Sequence, residues 1–112
     1  MAKLECRLNG SFNGILDKIE DGILNGSASA SLEDSSDFRS GNVRCAVRVF
    51  ERYSMLGGNR LSLNVTLFDS PEGLFLSAIT AGGSGAVFFK INTFGEEAFL
   101  SCIEEIVEEF RI

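Results

Sequence analysis

Arg44, Arg48 and Arg52 recur every four residues, and Arg60 follows after a glycine-containing break. A guanidinium grips carboxylate or phosphate oxygens through two parallel N–H donors, which a lysine ammonium cannot do. Seven of the ten basic residues are arginines, so a face that gathers them would suit an anionic ligand or a partner's acidic surface. The simpler reading places these arginines on the solvent side of a sheet, paired with Glu33, Asp34, Asp37 or Glu51, as exposed ion pairs commonly are at little energetic gain. Other chemistry is thinly represented. The chain has no histidine, which removes imidazole bases, Ser/His/Asp and Cys/His pairs, and His-containing zinc or haem sites. Cys6, Cys45 and Cys102 are odd in number, widely spaced and set on apolar stripes, and they read as inert core fillers in a reducing cytoplasm. The glycine-rich residues 81–86 lack the spacing of a phosphate loop and read as a hairpin turn. The glutamate pairs 96/97, 104/105 and 108/109 fall on the outer arc of a helix and read as a solvated face. The expectation is a protein that is not an enzyme and has no cofactor, no metal site and no catalytic residues.

The elements that must position these residues follow from periodicity. Residues 2–8 alternate, with Ala2, Leu4, Cys6 and Leu8 on one side, which predicts a half-buried strand. Residues 11–24 put Phe12, Ile15, Leu16, Ile19 and Ile23 at helical spacing, with Ser11 suited to the N-cap and Asn25-Gly26 to the stop. Gly14 and Gly22 weaken this helix by up to about 1 kcal/mol each, which a close approach to the sheet would compensate. Residues 27–32 alternate serine with alanine and leucine and predict a strand. The polar residues 33–42 predict a loop or ragged hairpin tip. Residues 43–53 predict a strand with Val43, Cys45, Val47 and Val49 on one face and Arg44, Ala46, Arg48, Phe50 and Arg52 on the other. A turn at 54–59 leads to a strand over 60–68, with Leu61, Leu63, Val65 and Leu67 inward, so that Arg60 could come alongside the other arginines. A turn at 69–73 follows. Residues 74–80 and 86–91 are apolar on both faces and predict two further strands. A helix from about Phe94 to Phe110 carries Phe99, Ile103, Ile106 and Phe110 on its stripe, with residues 93–96 as a capping box.

These elements make one α+β domain over residues 1–112. Its single antiparallel sheet has five or six strands in the order β-α-β-β-β-β-(β)-α, with the C-terminal helix packed across it. The order resembles the helix-grip arrangement of TATA-binding-protein-like and Bet v 1-like folds. That resemblance implies a hydrophobic cavity between sheet and helix. Phe75, Phe88, Phe89, Phe99, Ile103 and Phe110 would line such a cavity or an interface, although in a chain this short the rings more simply fill the core. In sequence, the runs Asp21-Gly-Ile-Leu-Asn-Gly-Ser27, Asn42-Val-Arg-Cys-Ala-Val-Arg48 and Phe89-Lys-Ile-Asn-Thr-Phe-Gly95 are similar to a family of short bacterial proteins classed as a domain of unknown function. So are residues 30–36, 51–54 and 57–60. The family transfers no functional residues.

Charge narrows the partners. The formal net charge is −6, which disfavours nucleic acid because phosphate binding rests on clustered Lys and Arg. Residues 96–112 hold six glutamates against one arginine, so the molecule is polarised between an acidic helix and an arginine strand. No apolar run is long enough for a membrane span or an export signal, so a cytoplasmic protein is expected, and the three N-x-[ST] matches carry no glycosylation meaning. The apolar outer faces of residues 74–80 and 86–91 point to a homo-oligomer formed sheet to sheet or edge to edge. The expected function is a non-enzymatic, self-associating interaction module. The alternative is a carrier of a small apolar or anionic ligand, held between the sheet and the C-terminal helix or on the arginine face.

Overall fold

The computed structural model describes residues 1–54, 59–82 and 89–112. Strand β1 (Ala2–Leu8) is followed by helix α1 (Phe12–Gly26), then by strands β2 (Ser31–Ser40), β3 (Val43–Ser54), β4 (Asn59–Ser70) and β5 (Gly73–Gly82), and by helix α2 (Phe89–Val107), which ends in a short 3-10 turn, Glu108–Phe110. The strands form one antiparallel sheet in the order β1-β5-β4-β3-β2. Four consecutive strands thus form a meander, and the first strand closes it by pairing with the last. Both helices lie on one face. α2 packs across β5, β1 and β4, and α1 packs against α2 and reaches β4 and β2.

Strand alternation delivers the core. Leu4, Cys6 and Leu8 of β1, Leu61, Leu63, Val65 and Leu67 of β4, and Leu74, Leu76 and Ala78 of β5 are buried beneath Ile15, Ile19 and Ile23 of α1 and Phe99, Ile103 and Val107 of α2. Thr80, fully buried among them, satisfies its hydroxyl by accepting from the Ala2 N–H at 3.2 Å and donating to the Ala2 carbonyl. Ser11 caps α1 as expected, its Oγ accepting from the Gly14 N–H at 3.2 Å, which occupies one of the orphan donors of the first turn.

The expected strand at 27–32 and loop at 33–42 are replaced by a turn at 27–30, closed by the Ala30 N–H to the Ser27 carbonyl, and by β2 running to Ser40. The reason is that β2 is an edge strand exposed along nearly its whole length. It is held by its ladder to β3 rather than by burial, so it needs no apolar alternation. Gly41 turns the chain back at φ +54, a conformation that suits the first position of a two-residue hairpin turn. The second correction concerns residues 89–91, which are helical, so no sixth strand passes through them. Residues 86–88 lie outside the described residues, as do 55–58 and 83–85 of the expected turns. Because α2 is already under way at Thr93, residues 93–96 do not form an N-terminal capping box. A short apolar run such as Phe88-Phe89-Lys90-Ile91 fits strand and buried helix equally well.

Gly22 is where the two helices meet. A Cβ there would lie 2.5 Å from Ile106 Cδ1 of α2, so this glycine permits a helix–helix approach rather than the expected approach to the sheet. Gly14 has no such neighbour, since a Cβ there would meet only the Ser11 side chain, at 3.4 Å. Gly14→Ala should therefore raise the unfolding free energy by up to about 1 kcal/mol through helix propensity. Gly22→Ala should lower it by about 1–2 kcal/mol, because overpacking against β-branched Ile106 outweighs that gain. Urea denaturation of the two variants reads the opposite signs.

Candidate functional site

The leucine face of β4 fixes which way β3 points. Arg48 is registered with Val65, Phe50 with Leu63 and Arg52 with Leu61, and in paired strands registered residues share a face. Arg44, Arg48 and Arg52 therefore lie on the helix side. The valine face of β3 is the one left open, the reverse of the solvent-side placement considered for the arginines. Arg60 registers with Tyr53 on the open face and pairs there with Glu51 at 2.9 Å, also reaching Ser31 Oγ. The four arginines do not form one cluster.

Each of the three helix-side arginines has its own role. Arg48 is 8% exposed, and its guanidinium donates to Glu20 of α1 at 2.7 Å, to Asp37 of β2 at 3.0 Å and to the Val47 carbonyl. Burial, the largest single effect, pushes its pKa down, but the hydrogen bonds and charges of Glu20 and Asp37 together outweigh it and hold the pKa above the ordinary arginine value. Arg52 lies 4.5 Å from the ring centre of Phe99 and points Nη1 at Cys102 Sγ. Arg44 lies 4.1 Å from the ring centre of Phe12, a cation–π distance. Glu20 was not singled out by the sequence because it looks like any polar residue opposite an apolar helical stripe.

The aromatic and aliphatic residues expected to line a common cavity or interface are dispersed. Phe75 is on the open face of the sheet, Phe99 and Ile103 are in the core, and Phe110 sits beside Lys18 and Ile15 at the helix ends. Phe88 lies outside the described residues, as does the side chain of Phe89. Glu96 departs from the solvated arc expected of it: it is buried, accepts from the Gly82 N–H at 3.1 Å and pairs with the Met1 amino group at 2.8 Å. Burial pushes the Cys6 thiol pKa up, with Glu108 and Glu104 adding to the effect and Arg111 opposing it.

The open face has its own order. Three rows of registered residues cross all five strands: Phe38–Cys45–Phe68–Phe75–Arg7, Ser36–Val47–Thr66–Ser77–Glu5 and Asp34–Val49–Asn64–Ile79–Lys3. The three central strands are uncharged in these rows, with Lys3, Glu5 and Arg7 on β1, Lys3 and Glu5 paired at 3.4 Å, and Asp34 on β2. Between Arg7, Phe68 and Phe75 lies a groove of about 320 Å³.

A five-stranded antiparallel sheet with both helices on one face and a second face that mixes exposed aromatic and aliphatic residues with polar ones defines the class of fold. The chain belongs to a family of unknown function (DUF6054), whose model matches residues 1–111. No curated protein and no solved structure matches it, and the helix-grip comparison rests on element order alone.

Arg48→Ala should destabilise the fold by about 3 kcal/mol, because it leaves the partly buried Glu20 without its partner. Arg60→Ala should cost less than about 1 kcal/mol, as for an exposed pair. Thermal and urea unfolding of the two variants measure the contrast.

Proposed function

We propose that the protein is a non-enzymatic interaction module that self-associates by packing the open face of its sheet against the same face of a second copy. The observation that carries this reading is the composition of that face. An antiparallel sheet with one side in water ordinarily places polar residues there, as Ser36, Asn64, Thr66 and Ser77 are here, but among them Phe38 is 64% exposed, Ile79 39% and Phe68 37%, with Val47, Val49 and Phe75 half-buried.

The sheet's edges are less suited to pairing. At β1, the chain's own end occupies part of the edge, with Leu8 bridging Arg111 and the Ile112 N–H donating to the Arg7 carbonyl at 3.1 Å. β2 carries Glu33, Asp34, Asp37 and Arg39 and a register shift between Leu32 and Asp34, and such charges and bulges discourage edge-to-edge addition.

Charge selects the axis. A two-fold axis across the strands, through the Glu5 row, would lay β1 on β1 and bring Lys3 toward Arg7 and Glu5 toward Glu5 of the second copy. An axis along β4 lays β1 on β2 instead, row on row, so that Lys3 faces Asp34. The same axis brings Phe38, the most exposed aromatic of the face, over the groove between Arg7, Phe68 and Phe75. With strands about 4.8 Å apart and about 3.4 Å per residue, the footprint is roughly 500–600 Å² per copy, at the low end for a specific interface. A concentration-dependent dimer follows. A reducing cytoplasm suits this reading, with Cys6, Cys45 and Cys102 all free. A ligand cavity beneath α2 has less support, since Phe99, Ile103 and Val107 share one buried cluster with Leu63, Val65 and Leu76.

Light scattering coupled to size exclusion should give about twice the chain mass of 12.1 kDa at about 100 μM loading, as expected for an interface of this size. Phe68→Asp should give the single-chain mass with an unchanged circular dichroism spectrum. A monomeric parent protein, or a Phe68→Asp variant that still dimerises, contradicts the proposal.

A further inference from the structure

The β2–β3 hairpin places Arg39 directly across from Arg44 on the helix side of the sheet. Like charges at registered positions oppose strand pairing, and neither guanidinium has a carboxylate within ion-pair distance among the described residues. Asp69, registered with Arg44 on its other side, forms no ion pair with it. Asp37, the nearest acidic residue on β2, is engaged by Arg48 at 3.0 Å. Between the two arginines and the start of α1 lies a pocket of about 260 Å³, lined by Phe12, Asp37, Phe38, Arg39, Arg44 and Cys45.

The geometry of Arg44 explains what such a pocket could hold. With its central carbon 4.1 Å from the ring centre of Phe12, the guanidinium spends its face on the ring and keeps in-plane N–H groups for an acceptor. Arg39, exposed at the hairpin end, brings a second fork from the opposite strand. Two forks converging on one pocket suit an oxyanion with three or four acceptor oxygens better than either suits a single protein carboxylate.

We propose that this pocket binds a small oxyanion, phosphate or carboxylate, free or as the head group of a small organic molecule, with Arg39 and Arg44 as the binding residues and Phe12 holding Arg44 in place. The binding residues Arg39 and Arg44, with Phe12, lie on the helix side of the sheet, whereas Phe38 and Cys45, which also line the pocket, belong to the face that the dimer covers.

The experiment is calorimetric titration of the full chain with inorganic phosphate and, separately, with succinate at low ionic strength. Saturable binding of phosphate, succinate or both is expected. Arg39→Gln, which alters an exposed side chain, should weaken binding at least tenfold, and Arg44→Lys, which keeps the charge but loses the fork, should do the same. Tighter binding of succinate than of phosphate identifies a carboxylate site, and the reverse identifies a phosphate site. Binding should persist in the Phe68→Asp variant, so failure of the dimer and failure of this site are read separately. No saturable binding of either anion, or binding unchanged by both arginine substitutions, overturns the proposal.

Discussion

One-sided coverage of the sheet is the constraint from which the rest of the molecule follows. Both helices, α1 between β1 and β2 and α2 after β5, lie on the same face, and Gly22 lets them approach each other closely there. The pair can then share the cover, with α2 over β1, β5 and β4 and α1 beside it toward β2. Burial beneath the helices makes Leu63, Val65, Leu67 and Leu76 inaccessible, each contributing about 1.5–3 kcal/mol relative to exposure. The opposite face receives no helix, yet Phe38, Phe68 and Ile79 stand exposed there among its polar residues. A surface built in this way is what self-association would consume.

The cover is uneven, and that explains the arginines. α2 covers the β1 side of the sheet and meets β3 at Arg52, while toward β2 the cover is the flank of α1. Apolar residues give way there to charged ones: Arg48 between Glu20 and Asp37, then Arg44 against Phe12, and Arg39 at the rim. Arg48 ties a helix, an edge strand and its neighbour together through one guanidinium, whose long aliphatic stem can cover apolar surface while the head is paired. A hydrophobic residue in its place could bury similar area but would leave β2, none of whose side chains is buried, attached through its backbone ladder and the Arg60–Ser31 hydrogen bond.

Much of this architecture is legible in the sequence, and the failures have physical causes. β1, α1 and β4 follow from apolar periodicity because each has one buried face and one exposed face, and β5 follows from a short run apolar on both faces between turns. β2 does not, because an edge strand exposed on both sides leaves no periodic trace. Losing β2 also hid the pairing of Arg39 with Arg44, which a hairpin centred on Gly41-Asn42 would have implied at once. The alternation of β3 showed two faces but not which one pointed inward. Valine ordinarily marks the core side, and only the register with the leucines of β4, together with the partners waiting on α1 and β2, sends Arg48 inward instead. Glu96 looks like part of a solvated arc because six glutamates fall within residues 96–109. Its burial depends on the Gly82 N–H and the Met1 amino group, which come from distant parts of the chain.

The account stands most directly on the arrangement of two copies across the open face. Zero-length carbodiimide coupling of a mixture of isotopically light and heavy protein, followed by peptide mass spectrometry, reads that arrangement at residue level. The account predicts mixed light–heavy cross-links joining Lys3 of one copy to Asp34 of the other, lost in the Phe68→Asp variant. Cross-links confined within single copies, or mixed links that leave Lys3 and Asp34 unjoined, would contradict it.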